Sequence, residues 1–527
     1  MNQQKRAFTG SFYTPQIWVE LSQQYLTDLL GENWQDEYYI WDCAAGTGNL
    51  LNGLTNKHHI WASTLDKQDV DTIHDRIKNG ANLLEAHVFQ FDFLNDDFTR
   101  LPYSLQSIIN DPEKRKKLVM YINPPYAEAT TAQTATGTGE NKVGVAKSHK
   151  LSEQYKPKLG SAVNEIFALF MARIYDQISA CILAQFSTLK FVQGSNFGTF
   201  KNFFKAQFLG GFVVPANTFY NVNGSFVIGF TVWNLVQKKD LEQISCEVYS
   251  KVGQHIGTKN FYGNLQHSIN QWLAGFYIAV PNNCIGMLST RGNDFQNQKF
   301  IYIATKIDNN THDTKVSISP RNLIPLAIYF AVRHCIEATW LNDRDQFLLP
   351  KGGWQTDSEF QNNCLTFLLF HTQNKISSHN GINHWIPFTE QEIEANGTFD
   401  SNFMTHFLKG KIPYDNGSDM FSPAPNAVTY YQQLSQEAEL VFEAGRNLWK
   451  YYHSTIKNDN TLQKSGSINA SLYDIRVYFQ GRNDKGKMNS KSEDETYMLL
   501  LATLREALRI LAQKIEPKVY EYAFLRT

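Results

Sequence analysis

The chain has 527 residues, of which 42% are hydrophobic and 19% charged, and its 49 Lys and Arg against 50 Asp and Glu give a net charge of -1. This length allows two or more domains with substantial cores. The near-neutral charge neither requires nor excludes a nucleic acid, so any DNA surface must come from local segregation of charge. The six cysteines form no CxxC pair, which disfavours a zinc cluster or a disulfide framework. No apolar run approaches the roughly 20 residues that span a bilayer, and no N-terminal signal pattern is present, so we expect a cytoplasmic protein.

The first predicted element is a helix that comes after the segment Phe12-Tyr13-Thr14-Pro15. Apolar residues recur at helical spacing from position 16 to about position 30. Thr14 and Pro15 suit the N-cap and the first turn of such a helix. We therefore predict a helix over 16–30.

A strand predicted at 38–41 runs into a glycine-rich turn, Asp42-Cys-Ala-Ala-Gly46-Thr-Gly48. Gly46 and Gly48 allow the backbone to turn tightly and to approach a ligand closely. An acid at the strand tip, together with a helix N-terminus after the turn, would form a nucleoside pocket of the kind found at switch points of parallel sheets. The third glycine of the dinucleotide fingerprint is missing, so the turn alone does not identify the ligand.

Acidic residues come directly after the next two predicted strands, which span 60–65 and 87–91. Asp66 and Asp92 stand at the strand ends, where they suit hydrogen bonds to ribose hydroxyls and to an adenine amino group. Helix N-capping is the alternative role for each. Asp69 and Asp71 compete for the ribose role.

A fourth strand, 118–122, ends in the corner Asn123-Pro124-Pro125-Tyr126. The two prolines stop the strand and stiffen the backbone of the corner. An amine conjugated to a heteroaromatic ring is a poor nucleophile, because its lone pair is delocalised. Hydrogen bonds accepted by the Asn123 side-chain oxygen and the Pro124 carbonyl would hold its N–H groups and turn the lone pair toward an electrophile, while Tyr126 offers its ring face to the base. The alternative is a rigid strand-to-loop turn without chemistry.

The segment 127–160 is rich in Thr, Gly, Ala and Lys and has no apolar periodicity, so we predict a mobile loop that serves as a lid or a nucleic-acid clamp, with plain disorder as the alternative. An amphipathic helix is predicted over 162–178. The remaining strands are predicted at 179–186, 212–214 and 226–233. Strands and helices thus alternate through seven strands, which predicts an α/β domain over 1–245.

From 246 to 527 this alternation breaks, and the pattern predicts a mixed α+β region with strong helices at 426–452 and 493–513. The basic segment 476–491 is a candidate phosphate-contacting loop, although a solvated surface loop also explains it. His371, His379 and His384 lack zinc-ligand spacing, so no metal site is predicted.

Four motifs in combination resemble the amino-group DNA adenine methyltransferases of bacterial restriction–modification systems. They are Phe12-Tyr-Thr-Pro15, the turn from Asp42 to Gly48, Asp92-Phe93 and Asn123-Pro-Pro-Tyr126. Their order resembles the gamma subclass of that family, and the resemblance covers roughly residues 8–236. The chain departs from the pattern in the length of the loop after Tyr126 and in Asn49, the residue after the last glycine.

The resemblance implies a seven-stranded Rossmann-like fold that uses S-adenosylmethionine, with N6 of a flipped-out adenine in double-stranded DNA as the methyl acceptor and no metal. The implied cofactor-binding residues are Tyr13, Thr14, Asp42, Ala44, Gly46, Gly48, Asp66, Asp92 and Phe93. The target base would be held by Asn123, Pro124, Pro125 and Tyr126, and Phe226 is expected to close its other face. The expected DNA backbone contacts are Lys142, Lys147, Arg482, Lys485 and Lys487.

This interpretation assigns catalysis to 1–245 and DNA recognition to 246–527. It makes double-stranded DNA a partner and a cognate restriction endonuclease a candidate partner, in a bacterial cytoplasm and at the nucleoid through DNA. Two alternative functions are compatible with the same motifs. One is an RNA or protein-glutamine methyltransferase with the same Asn-Pro-Pro-Tyr chemistry, and the other is a DNA-recognition subunit without catalysis.

Overall fold

The structure is a computed structural model that describes residues 13–126, 150–220, 222, 224–265, 267–278, 283–307, 313–412, 434–458 and 466–526. The chain divides into two compact units. The first comprises Met1–Leu265 with Thr339–Asp345, and the second comprises Gln266–Ala338 with Gln346–Thr527.

A nine-stranded sheet forms the centre of the first unit as described. Its strands are β1 (Tyr39–Asp42), β2 (Ile60–Thr64), β3 (Val88–Gln90), β4 (Leu118–Ile122), β5 (Ile182–Thr188), β6 (Gln207–Pro215), β7 (Val227–Asn234), β8 (Gln243–Tyr249) and β9 (His255–Tyr262). The central strands β2, β4 and β5 are buried along their whole length, as expected for continuous apolar runs with both faces covered.

The strand order is β3-β2-β1-β4-β5-β7-β6-β8-β9. Strands β1 to β5 are parallel, and β7 is antiparallel to both β5 and β6. The chain runs outward from β1 to β3 on one side and then returns to β4 on the other, so β1 and β4 are neighbours that flank the point where the strand order reverses. Ligands bind at the carboxyl ends of the strands at such a point.

Helices cover both faces of this sheet. The helices of the first unit are α1 (Gln16–Leu30), α2 (Trp34–Glu37), α3 (Lys67–Lys78), α4 (Tyr103–Asn110), α5 (Pro112–Lys116), α6 (Lys150–Leu159), α7 (Ile166–Arg173), α8 (Lys190–Gln193) and α9 (Gly198–Phe203). Helices α1 and α3 pack on one face and α4 and α7 on the other, each through apolar residues at helical spacing.

The predicted seven strands are all present, but the predicted strand count and the boundary near residue 245 are both wrong. Strand β8 crosses that boundary and extends the sheet by pairing parallel with β6, and β9 returns as its antiparallel partner. The unit also takes up Thr339–Asp345. The Asp345 carboxylate accepts hydrogen bonds from Lys259 Nζ at 2.5 Å and from Gln193 Nε2 at 2.7 Å. Such long-range pairing leaves no local signal in the sequence.

The predicted loop over 127–160 is wrong for its last part, because α6 spans Lys150–Leu159. Leu151, Tyr155 and Leu159 lie four residues apart and are buried, so this stretch does have an apolar face. Several lysines and Pro157 within the helix obscure that face in the sequence. Residues 127–149 lie outside the described residues. The helix predicted over 162–178 is a 3-10 turn at Gly160–Asn164, then α7, then a π turn at Ile174–Ile178.

The second unit is a mixed α+β unit with its own core. Its strands β10 (Gly286–Thr290), β11 (Tyr302–Ala304), β12 (Thr314–Ile318) and β13 (Asn374–Lys375) form a sheet in the order β12-β10-β11-β13. Its helices are α10 (Ile269–Ala274), α11 (Leu323–His334), α12 (Ser358–Phe370), α13 (Phe403–Leu408), α14 (Gln436–Asn458), α15 (Leu472–Gln480) and α16 (Glu495–Glu521). Within the ranges described, no helix is long and apolar enough to cross a membrane.

Candidate functional site

Helix α1 anchors the N-terminal segment to the sheet. The Ser22 and Tyr121 hydroxyls lie 2.5 Å apart, which joins the helix to β4. The Trp18 indole donates to Thr218 Oγ1 at 3.0 Å, which joins it to the connection after β6. These two bonds hold the residues just before the helix, half-buried Tyr13 and buried Thr14, in a fixed place.

The glycine-rich turn after β1 has the backbone that its sequence requires. Gly46 and Gly48 have φ angles of 52° and 80°, in the left-handed region that favours glycine. The Gly48 N–H donates to the Ala45 carbonyl at 2.8 Å, which closes the turn. A Cβ placed on Gly46 would meet nothing within 4 Å, so this backbone borders open space.

The helix N-terminus expected after this turn is absent. The turn continues into a 3-10 segment of only three residues, Asn49–Leu51, so no helix dipole is available there. Arg76 of α3 braces the turn instead. Its guanidinium donates to the Thr47 carbonyl at 2.6 Å and to Asn49 Oδ1 at 2.9 Å. No motif in the sequence marks Arg76 for this contact, and Asn49, where the chain departs from the family pattern, supplies one of its acceptors.

Asp42 is a buried carboxyl at the end of β1. Its side chain is 1% exposed, and its Oδ1 accepts the Ala44 N–H at 3.0 Å. Burial raises the pKa of this carboxyl to about 7, against the smaller opposing effect of the Ala44 hydrogen bond. The hydrogen bond from the Ala44 N–H therefore fixes the position of the Asp42 carboxyl.

Asp66 occupies the N-cap position of α3 but does not cap the helix with its side chain. Its Oδ2 is buried and has no hydrogen-bond partner among the described residues. A buried oxygen without a hydrogen bond destabilises the folded protein, and a ligand hydroxyl can donate the missing hydrogen bond. Of the two competing acids, Asp71 pairs with Lys67 on the surface, and Asp69 is buried on α3.

Asp92 organises the turn after β3. Its Oδ1 accepts the Leu94 N–H at 2.9 Å, and its Oδ2 accepts from Asn95 Nδ2 at 2.8 Å. The Phe93 ring stacks on Phe170 at 4.9 Å between centroids and lies in the core. Any ligand contact by Phe93 must therefore come from its backbone.

The corner after β4 brings Asn123 into a side-chain network. Its Nδ2 donates to Thr14 Oγ1 at 2.8 Å, and its Oδ1 accepts a hydrogen bond from the Tyr126 hydroxyl. Tyr126 is 9% exposed, and burial raises the pKa of its phenol well above the usual value, which keeps it protonated. Pro124 is buried and Pro125 half-buried between them.

Phe226 and Tyr126 contribute to the same apolar cluster. The buried members of this cluster include Tyr126, Phe219 and Val222, and the partly buried Phe226 packs against the cluster. A Cβ on Gly224 would lie 2.2 Å from the Phe226 ring, so the ring lies directly on that glycine.

Two polar side chains of β5, one in the middle of the strand and one at its end, belong to no motif in the sequence. Gln185 pairs in register with Ile122, next to the corner, and its Oε1 is buried without a hydrogen-bond partner among the described residues. Thr188 Oγ1 at the end of the same strand is in the same state. Their signal in the sequence is polarity within an otherwise apolar strand.

The candidate DNA-contacting residues lie in two places. Lys142 and Lys147 lie outside the described residues. In the second unit, a tight turn comes after α15, and Lys485 and Lys487 are exposed on it. Arg482 is instead bound within this turn, where it donates to the Gly486 carbonyl at 2.8 Å and to the Tyr473 hydroxyl at 2.7 Å.

Across the described ranges, no group of three or more His, Cys, Asp or Glu residues is placed to hold a metal ion.

No protein-family model matches the sequence, and no curated protein matches it. Among solved structures, the DNA complex of DrdV is 14% identical with a TM-score of 0.38, over 54% of this chain and 33% of that chain. A type I restriction–modification methyltransferase subunit from Streptococcus thermophilus is 16% identical with a TM-score of 0.33, over 49% of this chain and 53% of its own. The type IIL restriction–modification enzyme MmeI, in complex with DNA, is 10% identical with a TM-score of 0.38, over 98% of this chain and 77% of its own.

This chain thus matches a third of DrdV and about half of the methyltransferase subunit. TM-scores below 0.5 at such low identity do not establish a shared fold or activity. The strand order and the site residues therefore have to support any functional assignment by themselves.

Proposed function

We propose that this chain transfers a methyl group from S-adenosylmethionine to N6 of an adenine flipped out of double-stranded DNA, within or derived from a restriction–modification system. One observation carries the proposal. The Asn123-Pro124-Pro125-Tyr126 corner ends β4 beside the glycine-rich turn that ends β1, at the point where the strand order reverses.

The residues around the β1 turn fit the proposed cofactor. Gly46 borders open space, Asp66 has a buried oxygen without a hydrogen-bond partner among the described residues, which suits ribose hydroxyls, and Asp42 is a buried carboxyl suited to a cationic group. Asp92 and the Phe93 backbone would face the adenine of the cofactor. Bound there, S-adenosylmethionine supplies an electrophilic methyl group on a sulfonium centre.

The corner residues would act on the acceptor amine. Asn123 Oδ1 and the Pro124 carbonyl accept its two N–H groups, which fixes the amine and turns its lone pair out of the ring plane. Tyr126 stacks on the flipped base, and Phe226 from the same apolar cluster closes the other face. The Tyr126 hydroxyl donates to the same Asn123 oxygen in this structure, and that oxygen has a second lone pair for an N–H of the base.

DNA recognition is assigned to the second unit, together with backbone contacts from Lys142 and Lys147. The exposed Lys485 and Lys487 would contact phosphates, and Arg482 would shape the turn that presents them. A cleft of about 700 Å³ borders this turn and is lined in part by Gln480, Asn489 and Lys491. Such lysines position a duplex, while polar side chains can contact base edges.

The test is expression of the chain in a bacterial host without adenine methylation, and then sequencing that detects N6-methyladenine. We expect methylated adenines within one sequence context, and none when Asn123→Ala is expressed at the same level. Methylation of RNA or of a protein glutamine, without any in DNA, would instead favour the alternative enzymes with the same corner.

A further inference from the structure

We propose that Thr14 is a positioning residue for this reaction, because its hydroxyl fixes the Asn123 amide with the oxygen facing the incoming amine. This inference rests on the proposed function. It gives Thr14 a role toward the methyl acceptor, which differs from the cofactor contact that the sequence resemblance implies.

The orientation of the amide decides whether it can hold an amino group. An asparagine side chain has a carbonyl oxygen that accepts and an NH2 group that donates. A half-turn of the amide would face an N–H of the enzyme toward an N–H of the base, and no hydrogen bond would form. Catalysis at this corner therefore requires a device that selects one of the two orientations.

The contacts at the two ends of the amide supply that selection. Asn123 Nδ2 donates to Thr14 Oγ1 at 2.8 Å, and Asn123 Oδ1 accepts from the Tyr126 hydroxyl. Burial keeps the Tyr126 phenol protonated, and its hydroxyl donates to the amide oxygen. Thr14 is then left as the acceptor for the NH2 group.

The bond to Thr14 uses the NH2 end of the amide, whereas the base needs the oxygen. The acceptor amine would bind a lone pair of Asn123 Oδ1, which also accepts from the Tyr126 hydroxyl. The bond to Thr14 lies at the opposite end of the amide and does not compete with the base. In the reacting complex, the bond to Thr14 therefore continues to orient Asn123.

Thr14 is held rigidly enough for this task. It is 5% exposed and directly precedes Pro15, whose carbonyl accepts the Trp18 and Val19 N–H groups at 2.9 and 3.1 Å. The anchors of α1 on Thr218 and Tyr121 then fix the position of this first turn against the sheet.

The test compares Thr14→Val, which keeps the shape but lacks the hydroxyl, with Thr14→Ser, which restores it. Thr503→Val is the matched control, because the exposed Thr503 hydroxyl donates to the Leu499 carbonyl of its own helix. Methyl transfer to duplex DNA and calorimetric binding of S-adenosylmethionine are measured on the full chain.

We expect Thr14→Val to lower kcat by about tenfold to a hundredfold, since small misplacements of a catalytic group cost about that much. Cofactor Kd and the KM for DNA should stay within about twofold of wild type, because uniform binding is not affected. Thr14→Ser should recover most of the rate.

Three outcomes overturn the inference. They are a wild-type kcat in Thr14→Val, a rate loss matched by an equal loss of cofactor affinity, and a Thr14→Ser variant as slow as Thr14→Val. A wild-type chain that methylates no adenine refutes the proposed function itself, and it is distinguished from these outcomes because it needs no variant.

Discussion

Replacing Asp42 by Asn should stabilise the protein without its cofactor, and it should do so increasingly as the pH rises. Asn has nearly the same shape and keeps an oxygen that can accept the Ala44 N–H, but it does not ionise. The wild-type carboxyl must lose its proton in a site where it is 1% exposed, and this opposes folding.

The magnitude comes from the pKa of this carboxyl, which burial raises from 3.8 to about 7. That difference corresponds to about 4 kcal/mol of unfolding free energy, at about 1.36 kcal/mol for each tenfold change. Because the folded-state pKa is the higher one, the stabilising effect of the protonated carboxyl is fully present below pH 3.8. It is lost progressively as the pH rises to about 7. The advantage of Asp42→Asn should therefore be small near pH 4, grow between pH 4 and 7, and stay constant above pH 7.

Urea unfolding monitored by tryptophan fluorescence at pH 5, 6, 7 and 8.5 measures this difference between the two proteins. Asp28→Asn is the control, since Asp28 is an exposed carboxylate on α1 that accepts a hydrogen bond from Gln24. It should change stability by less than about 0.5 kcal/mol. A gain in Asp42→Asn that does not depend on pH, or a loss at pH 8.5, would refute the reasoning.

Further outcomes are expected at the corner, at the cofactor site and in the second unit. Asn123→Ala should abolish methyl transfer and leave calorimetric cofactor affinity unchanged. Tyr126→Ala should lose both rate and base stacking, whereas Tyr126→Phe should keep most of each, as radiolabelled methyl transfer and 2-aminopurine fluorescence would show. Asp66→Asn should weaken cofactor binding about tenfold in calorimetry, since it removes a charge-assisted acceptor. Changing Lys485 and Lys487 to Gln should lower the slope of log affinity against log salt by about 2 for every DNA sequence, and an unchanged slope would make these lysines ordinary surface residues.

Local signals explain which parts of the fold the sequence predicts. Four of the seven predicted strands, 38–41, 60–65, 87–91 and 212–214, are directly followed by an acid or a proline. Strands β8 and β9 come after the alternation of strands and helices has ended, and pairing of β8 with β6 brings them into the sheet. Thr339–Asp345 joins the first unit through a contact between residues 86 positions apart, Lys259 and Asp345, which no local pattern can reveal.

The same distinction applies to the site. The motifs predict where Asp42 and Asn123 stand, because each comes directly after a strand that the sequence identifies. They do not reveal the partners that set each side chain's chemistry, such as Thr14, which is 109 residues away from Asn123. The sequence leaves the role of Asp66 open between helix capping and ligand binding, and in the structure its side chain does not cap α3.

The most direct test of the proposed activity is methyl transfer by the purified protein in vitro. Radiolabelled S-adenosylmethionine would be offered with duplex DNA, with RNA and with a protein extract, and the labelled nucleoside identified by mass spectrometry. We predict label in DNA only, as N6-methyladenine, and none in the Asn123→Ala variant. Label in RNA or protein but not in DNA, or in DNA at equal rates with Asn123→Ala, would contradict the assignment.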